Sequence, residues 1–320
     1  MLSRIIVLLI MGMFWICQPV FGGSRPFYMG VNGGPALMVL PPWEIFHEVD
    51  GNFAPISGPL FRGGHELTGP GLGMVLGYEV PGPFFVEARV GWVRAHGRNG
   101  QFLANDSANH FRITYLDGTN GFHLWSGNTA NCELNTRVSQ GEAALDLGLV
   151  LHTRLGPVKL TAGPLWGHLD REYNSSFLHP LNVVYSQDEK LDNEYLGGRL
   201  GGKFRWTVRP GWDLSLAGGM ALVEMESRYK GVGDLDGVFK GKDSARERQT
   251  TWRGDLGVSL SHAYAPGVEF ILGADLIWYK DISRVEHPTG SLSKGNFVPV
   301  QLTFESTRIW KMTGEIRFYF

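Results

Sequence analysis

Few residues in this chain have the spacing that catalysis or metal binding requires. His168 and Asp170 stand two positions apart, which could set a base beside a carboxylate, but the sequence offers no obvious acidic pair to face them. The stretch Asp234-Leu235-Asp236-Gly237 has the opening of a calcium loop, yet a distal Glu and further oxygen ligands are not at the required spacing. None of the ten histidines is followed two residues later by serine. We therefore expect no catalytic residues, no metal site and no cofactor.

Charges at alternate positions suggest a second kind of chemistry. Arg199, Lys203 and Arg205 share one parity of a single segment, so in a strand their side chains would point to the same side. Such a ladder could guide small anions through a pore, or acidic residues such as Asp213 could neutralise it across the following turn. The choice between an anion path and a neutralised row of charges depends on the strand that contains these residues and on its neighbours in the sheet.

The last eleven residues, Trp310 to Phe320, alternate between an apolar and a charged or polar parity. Phe320, Phe318 and Ile316 give a terminal aromatic residue, an aromatic residue two positions earlier and a hydrophobic residue two before that. This pattern resembles the C-terminal insertion signal of Gram-negative outer-membrane β-barrel proteins, although the glycine common in that signal stands one position early, at Gly314. The resemblance implies that barrel-insertion machinery is a partner.

The first 22 residues have the composition of a secretory signal peptide. Arg4 precedes an apolar run from Ile5 to Cys17, and Val20 and Gly22 are compact residues at positions suited to cleavage. The run is too short for a membrane-spanning helix, which needs about 20 residues. We predict a signal peptide at residues 1–22, cleaved near Gly22, and a single domain at residues 23–320.

The composition of the remaining chain limits its partners. Removal of Arg4 leaves 28 basic against 31 acidic residues, so the charge gives no reason to expect nucleic acid as a partner. Cys132 is the only cysteine outside the predicted signal, so no internal disulfide is expected. No Pro, Gly or charge pattern marks a linker between domains.

Four Pro/Gly corners divide the chain into predicted hairpins, and each corner joins two segments of period two. Polar, irregular stretches lie between one corner and the next, and we expect them to be long loops. Short turns at one end and long loops at the other are typical of outer-membrane barrels. The corners are Pro81-Gly82-Pro83, Leu155-Gly156-Pro157, Pro210-Gly211 and Pro266-Gly267.

One parity is apolar in each period-two segment, which predicts an all-β fold: a transmembrane antiparallel up-and-down β-barrel of about ten strands. An even count returns both termini to the periplasm. His110–Tyr115 and Phe122–Trp125, joined through Asp117-Gly118, are expected to form a hairpin above the membrane, with twelve strands as the alternative. The predicted strands are about 27–38, 69–80, 84–93, 142–152, 158–166, 199–206, 212–222, 252–261, 268–278 and 310–320.

The tryptophans in the predicted strands all fall on the apolar parity. Two lie beside a short turn, and five lie about eight to twelve residues from the short-turn end of their strands. Two aromatic girdles separated by about 25 Å are typical of membrane barrels. The predicted girdle residues are Trp92, Trp166, Trp206, Trp212, Trp252, Trp278 and Trp310.

The other parity carries eight basic and eight acidic residues that we expect to face the lumen. Eight strands enclose a space just filled by side chains, so ten leave little more. The charges either pair and rigidify the wall or form a narrow path for ions. The predicted lumen residues are Glu87, Arg89, Glu142, Asp146, Lys159, Arg199, Lys203, Arg205, Asp213, Arg253, Asp255, Glu269, Asp275, Lys311, Glu315 and Arg317.

These features favour a porin-like or structural surface protein of the bacterial outer membrane, with a charge-lined narrow lumen. An adhesin or host-interaction protein acting through long extracellular loops is the alternative. Expected partners are outer-membrane lipid and lipopolysaccharide, whose phosphates the basic stretch Lys240 to Arg248 could contact.

The predicted architecture also resembles that of the omptins, ten-stranded outer-membrane proteases with an Asp pair and an Asp-His dyad across the extracellular rim. Their motif does not carry over, because the predicted loop Lys230 to Thr250 contains Asp234, Asp236 and Asp243 but no histidine. A rim hydrolase is therefore the least supported function, and we predict that the protein is not an enzyme.

Overall fold

The computed structural model describes residues 26–45, 47–49, 59–80, 82–104, 110–118, 121–125, 127–178, 183–289, 295 and 297–320. The predicted signal peptide at residues 1–22 lies outside this range. No helix in the described residues is long and apolar enough to cross a membrane. The described chain is built from strands.

Fifteen strands make up the described part of the chain. They are β1 Phe27–Val39, β2 Trp43–Ile45, β3 His47–Val49, β4 Phe61–Gly63, β5 Glu66–Glu79, β6 Phe84–Ala104, β7 His110–Thr114, β8 Gly121–Leu124, β9 Thr129–Thr153, β10 Gly156–Leu178, β11 Val184–Arg209, β12 Trp212–Leu235, β13 Val238–Ala265, β14 Val268–Glu286 and β15 Gln301–Tyr319.

Ten of these strands close into a barrel in the order β1-β15-β14-β13-β12-β11-β10-β9-β6-β5, and β5 pairs with β1. Every pair in the ring is antiparallel. The backbone N–H of Phe320 donates to the carbonyl of Phe27 at 2.8 Å, so both ends of the ring meet at one rim. The predicted barrel of about ten strands is confirmed.

The predicted short turns lie at that same rim, which we call the short-turn end. β11 and β12 are joined at Pro210-Gly211, and β13 and β14 at Pro266-Gly267. Gly211 and Gly267 have φ values of 79° and 87°, a region that an L side chain rarely adopts. A glycine is therefore needed at each of these two corners.

The predicted pairing of the hairpin in the second connection is also confirmed. β7 and β8 pair with each other, and β3 adds a third strand to this small sheet. β2 and β4 form a second small sheet. None of these five strands joins the ring, so the twelve-stranded alternative is wrong.

The outer surface of the barrel is apolar only near the short-turn end. There Leu147, Leu200 and Leu272 are each more than 60% exposed, while the inward residues of the same strands are mostly charged, glycine or small, with Ile271 as an exception. We call this part the apolar band, which ends at the level of Trp92, Trp166, Trp252, Trp278 and Trp310.

Beyond those tryptophans the two faces of the wall exchange polarity. On β9, Leu134 and Val138 point inward and are almost fully buried, whereas Glu133 and Arg137 are exposed outside. The same exchange occurs on β10, β11 and β12. We call this second part the barrel extension. Twelve residues of β10 beyond Trp166 correspond to a height of about 30 Å, using the rise and tilt usual for barrel strands.

The barrel extension corrects the prediction of long irregular loops. The segment Lys230 to Thr250 belongs to β12 and β13, which are joined by a tight turn at Asp236 and Gly237. Likewise β6 continues to Ala104 and β9 begins at Thr129. The loop prediction was wrong because the outward side chains in this region meet water, so the apolar parity that marked the lower strands is absent from the outer face.

Candidate functional site

The predicted lumen charges collect at the short-turn end of the barrel. Fourteen of the sixteen line a cavity of about 810 Å³ inside the apolar band. The other two, Asp146 and Asp213, stand behind the lining and contact arginines that belong to it. The alternation in the sequence therefore predicts that these side chains share the inward face, but it does not predict which of them contact one another.

Arginines cross-link the upper part of this cavity. Arg199 Nη1 lies 3.3 Å from Asp146, and its Nη2 lies 2.9 Å from Asp255. Arg253 contacts Glu142 at 2.6 Å and Asp255 at 2.5 Å. A buried guanidinium bonded to two carboxylates is held in one geometry, since each lost contact would leave a desolvated charge.

The lower part of the cavity contains further ion pairs. Arg205 lies 2.5 Å from Asp213 and 2.7 Å from Glu269. The proposed cationic ladder is therefore interrupted, because Arg199 and Arg205 are both neutralised by carboxylates. Lys203, between them on β11, forms no hydrogen bond or ion pair with any described residue.

A layer of bonded tyrosines closes the top of the cavity. The hydroxyls of Tyr195 and Tyr279 lie 2.8 Å apart, and Tyr195 donates to Glu142 at 3.1 Å. Gln140 Nε2 donates to the Tyr279 hydroxyl at 3.0 Å. Arg253 donates hydrogen bonds to both oxygens of the same Glu142 carboxylate. We call this layer the ceiling.

Above the ceiling an apolar core fills the barrel. Its members come from nine strands of the ring and from residue 40, and they are nearly inaccessible to solvent. These side chains pack against one another across the interior at this height. The core consists of Ala36, Met38, Leu40, Leu67, Val93, Ala95, Val138, Leu165, Leu169, Tyr195, Ala221, Val223, Met225, Ile277, Tyr279, Ile282 and Ile309.

A second apolar core occupies the barrel extension and includes strands that fold in from the connections. Trp43 on β2 and Phe61 on β4 pack against Phe177 of β10. Phe122 of β8 stacks on Tyr185 of β11 with ring centroids 6.3 Å apart. The first two connections on this side therefore enter the barrel instead of standing above it.

Glu189 fastens the first connection to the wall. Its carboxylate accepts hydrogen bonds from Trp43 of β2 and Tyr229 of β12, and it lies 2.8 Å from His287 Nε2. Burial alone would raise the pKa of Glu189, but His287, Tyr229 and Trp43 together hold that pKa below its usual value. The carboxylate is therefore stabilised in its charged form inside the extension.

Glu44 makes a second attachment from the same strand. The His287 Nδ1 lies 2.7 Å from the Glu44 carbonyl oxygen. The Glu44 side chain contacts Arg284 of β14 and lies 2.9 Å from Arg62 of β4. We call Glu189, His287, Trp43, Tyr229 and Glu44 the latch. Sequence reasoning missed these residues because their strands lack the apolar outer parity on which it relied.

The predicted girdle residues all lie on the outer face of the band. Trp206 is 56% exposed near the short-turn end, and Trp252 and Trp310 are about half exposed at the other level. Trp92, Trp166, Trp212 and Trp278 share the same face. Ile316, Phe318 and Phe320 also point outward and are exposed.

Charged side chains surround the outer wall just beyond the upper tryptophans. Glu226 contacts Arg228, Arg246 and Arg248 at 2.5 to 2.8 Å. Hydrogen bonds from Arg246 and Arg228 are the main cause that lowers the pKa of Glu226 to about 2. These groups stand in water, so their pairing orders the surface more than it stabilises the fold.

The one sequence candidate for acid-base chemistry lies on this outer wall. His168 is opposite Glu194 in the strand register, and Asp170 is opposite Asp192. The sequence reading that no acidic groups face them was therefore incomplete. Burial, with a smaller contribution from Asp192, raises the pKa of Asp170. His168 makes no hydrogen bond to a described hydroxyl, so the arrangement lacks a nucleophile bonded to its base.

The predicted calcium-loop opening is a turn. Asp234 Oδ1 accepts a hydrogen bond from the Gly237 N–H at 2.6 Å, and Asp236 Oδ1 accepts one from Val184 N–H at 2.8 Å. Both carboxylates are therefore used by the backbone. Within the described residues, no group of three His, Cys, Asp or Glu side chains is arranged to hold a metal ion.

Comparisons with known proteins return structures but no sequence relatives. No protein-family model and no curated protein matches the chain. The structure is similar to the outer-membrane protease OmpT from Escherichia coli, with a TM-score of 0.47, 9% identity, and 95% and 99% of the two chains covered. It is also similar to a Pseudomonas aeruginosa FadL homologue, with a TM-score of 0.27, 6% identity, and 92% and 90% covered. A third similar structure is the outer-membrane channel DcaP of Acinetobacter baumannii, with a TM-score of 0.21, 10% identity, and 94% and 100% of the two chains covered.

The fold class rests on the geometry of this chain. A closed antiparallel ring of ten strands, an apolar band on its outside and tryptophans at both edges of the band satisfy the requirements of a membrane-spanning barrel. The chain has the fold of a bacterial outer-membrane β-barrel.

Proposed function

We propose that this protein is a closed, non-conducting outer-membrane barrel that acts at the cell surface through its rigid extension. In this orientation the short-turn end faces the periplasm and the extension stands outside the cell, as in other barrels with short periplasmic turns. The proposal selects the structural surface protein from the functions that the sequence favoured.

The filled interior is the observation that carries this proposal. The ceiling and the two apolar cores occupy the barrel from the upper edge of the band to the far end. A porin needs a continuous water-filled path, whereas the cavity inside the apolar band stops below Tyr195 and Tyr279. The ion pairs of the band support the same conclusion, because they cross-link the wall at the height where a selectivity filter would stand.

The surface of the extension supports contact with the outer leaflet and with molecules outside the cell. Arg228, Arg246 and Arg248 are exposed and lie a few residues beyond Trp252, the height at which lipid phosphates are found. Lipopolysaccharide phosphates are therefore the partner we propose for this face. We propose that the barrel-insertion machinery recognises the exposed side chains of Ile316, Phe318 and Phe320.

A liposome swelling assay tests the proposal. Proteoliposomes that contain the refolded barrel should swell in small sugars no faster than protein-free liposomes, while liposomes with a general porin swell rapidly. A boiled and an unboiled gel sample must first differ in mobility, which shows that the barrel is folded. Swelling above the protein-free rate in a folded sample would refute the closed barrel.

An adhesin is the second candidate, favoured by apolar residues at the outer rim. Phe102, Leu178 and Val184 follow one another around the wall across Asn131, and Phe102 is 64% exposed. Exposed apolar patches on a soluble surface often bind protein partners. Beads coated with the barrel should adhere to a cultured epithelial layer, and F102S/V184S should reduce adhesion. The control Glu133→Gln, on a neighbouring strand, should not. Equal adhesion by both variants would reject this candidate.

A further inference from the structure

The charged groups that line the periplasmic cavity are not all paired. Each lining arginine lies within 4 Å of at least one carboxylate, and Lys159 pairs with Glu79 at 3.1 Å. Among the described residues, Lys203, Lys311 and Asp275 form no hydrogen bond or ion pair, although all three line the cavity. The cavity therefore holds two amines and one carboxylate without a direct partner among the described residues, although Asp275 and Lys311 face each other in the register and attract at longer range.

These three residues belong to one row of cross-strand neighbours. Lys203 of β11 is opposite Ala217, which is followed around the wall by Gly257, Asp275 and Lys311. Three strands separate β11 from β15, so in a ring of ten the two lysines extend from nearly opposite sides. Ala217 adds little volume between them, and the Asp275 carboxylate lies above Gly257.

The surrounding carboxylates cannot readily satisfy the lysines. Glu315 is bound by Arg317 at 2.6 Å, Glu269 by Arg205 at 2.7 Å, and Glu87 accepts a hydrogen bond from Tyr28 at 2.5 Å. The charges of the lumen balance overall, but neither lysine amine forms a hydrogen bond or ion pair with a described carboxylate, and Glu87 and Asp275 attract Lys203 and Lys311 only at longer range. A confined charge that is not paired is unfavourable, so an anion that enters from water would be stabilised.

We propose that this cavity is a binding pocket for a small anion that carries phosphate or carboxylate groups, held between Lys203 and Lys311. Its volume of about 810 Å³ lies within the range of small-molecule pockets. The ligand enters from the periplasm, because the ceiling blocks the other side. The proposed pocket rests on the same closed ceiling as the proposed function. Its binding contacts lie on the periplasmic side of that ceiling.

A substitution at Asp275 distinguishes an anion site from a cation site. It is opposite Lys311 in the register, and its carboxylate occupies the space above Gly257. An anion in the pocket is repelled by this carboxylate, whereas a cation would depend on it. Replacement of Asp275 by asparagine therefore tightens anion binding and would abolish cation binding.

Isothermal titration of the refolded, full-length mature barrel in detergent, with pyrophosphate and separately with succinate, tests the proposal. One anion should bind per barrel, K203M/K311M should weaken binding at least tenfold, and D275N should strengthen it severalfold. Lys230→Met, on the outer wall of the extension, is the matched control and should leave affinity unchanged. The stronger of the two probes identifies the preferred anionic group.

The proposal is overturned if the wild type binds neither probe, if K203M/K311M binds as tightly as the wild type, or if D275N weakens binding. Heat-dependent gel mobility shows whether each variant is folded. If the double variant does not fold, the anion affinities of the single lysine variants and of D275N test the proposal instead. A barrel that conducts but loses anion binding in K203M would contradict the proposed function while supporting the pocket, so the two failures are distinguishable.

Discussion

At the scale of single residues, the latch and the outer charge cluster illustrate opposite uses of a carboxylate. Glu189 is buried and bonded to three side chains from three elements, whereas Glu226 carries three arginines in open water. A buried charge that loses its partners pays the full desolvation cost, while an exposed pair exchanges its partners for water. The two sites should therefore respond very differently to the same substitution.

Glu189→Gln should lower the free energy of unfolding of the barrel by about 2 to 4 kcal/mol, because it removes a charged acceptor from Trp43, Tyr229 and His287. Urea titration of the folded barrel in detergent, followed by tryptophan fluorescence, measures the change. Glu194→Gln on the same strand is exposed and should shift it by less than about 0.5 kcal/mol. Equal losses in both variants would show that the latch contributes nothing specific.

The latch should also depend on pH in one direction. Because the folded state holds the pKa of Glu189 below its usual value, this carboxyl contributes stability above the unfolded pKa of about 4.3. That contribution is lost as the pH falls through the lower folded pKa. The stability difference between wild type and E189Q should therefore shrink below about pH 4, as measured by urea titration across pH 7 to 3. A difference that grows on acidification would contradict this assignment.

At the scale of strands, close approach of neighbouring backbones decides where glycine is required. A side chain at Gly163 of β10 would lie 1.9 Å from the Leu145 carbonyl oxygen of β9, whereas Gly198 of β11 has open space around it. Gly163→Ala should destabilise the barrel by about 1 to 3 kcal/mol, because the strands must move apart. Gly198→Ala should be neutral. Urea midpoints measured side by side give the comparison, and a tolerated Gly163→Ala would show that β9 and β10 can separate freely.

The exchange of polarity along each strand gives a second test at this scale. Leu147 and Arg137 lie on the same outward face of β9, but the first belongs to the apolar band and the second to the extension. Leu147→Arg should cost about 2 to 4 kcal/mol when the barrel is folded in lipid vesicles. Arg137→Leu should change stability by less than about 0.5 kcal/mol, because that position meets water. Similar costs at both positions would place the edge of the membrane elsewhere.

The strands also show where sequence reasoning succeeds. In the band, lipid favours apolar residues on outward positions, so parity located the ten strands and the Pro/Gly corners located their short turns. In the extension, the outward side of β11 carries Lys190 and Asp192 while Leu191 points inward. This is the pattern of an ordinary soluble strand, and it lacks the outward apolar residues from which the membrane strands are predicted.

Pairing across the barrel was beyond the sequence for a different reason. Arg253 reaches Glu142, which is 111 residues away and on a strand that is not its neighbour in the ring. Such contacts depend on strand tilt and on the register of every pair between them. The sequence could therefore predict that lumen charges balance, but it could not separate the paired Arg199 from the unpaired Lys203.

At the scale of the whole molecule, the ten strands of the ring form two regions of opposite polarity. The band is apolar outside and charged inside, and the extension is polar outside with apolar cores inside. The ceiling is the boundary between them. Cys132 belongs to the extension core, where burial raises the pKa of its thiol to about 12, so it is protonated and unreactive at physiological pH.

The closed interior is the central claim, and single-channel conductance in a planar lipid bilayer tests it most directly. Refolded wild-type barrel should give no discrete current steps, because the ceiling and the core above it block the path. A variant with Leu169, Tyr195, Met225 and Tyr279 replaced by alanine should produce steps if it folds, since these side chains fill the closure. Steps in the folded wild type that change their ion preference in Lys203→Ala would contradict the account and establish a channel.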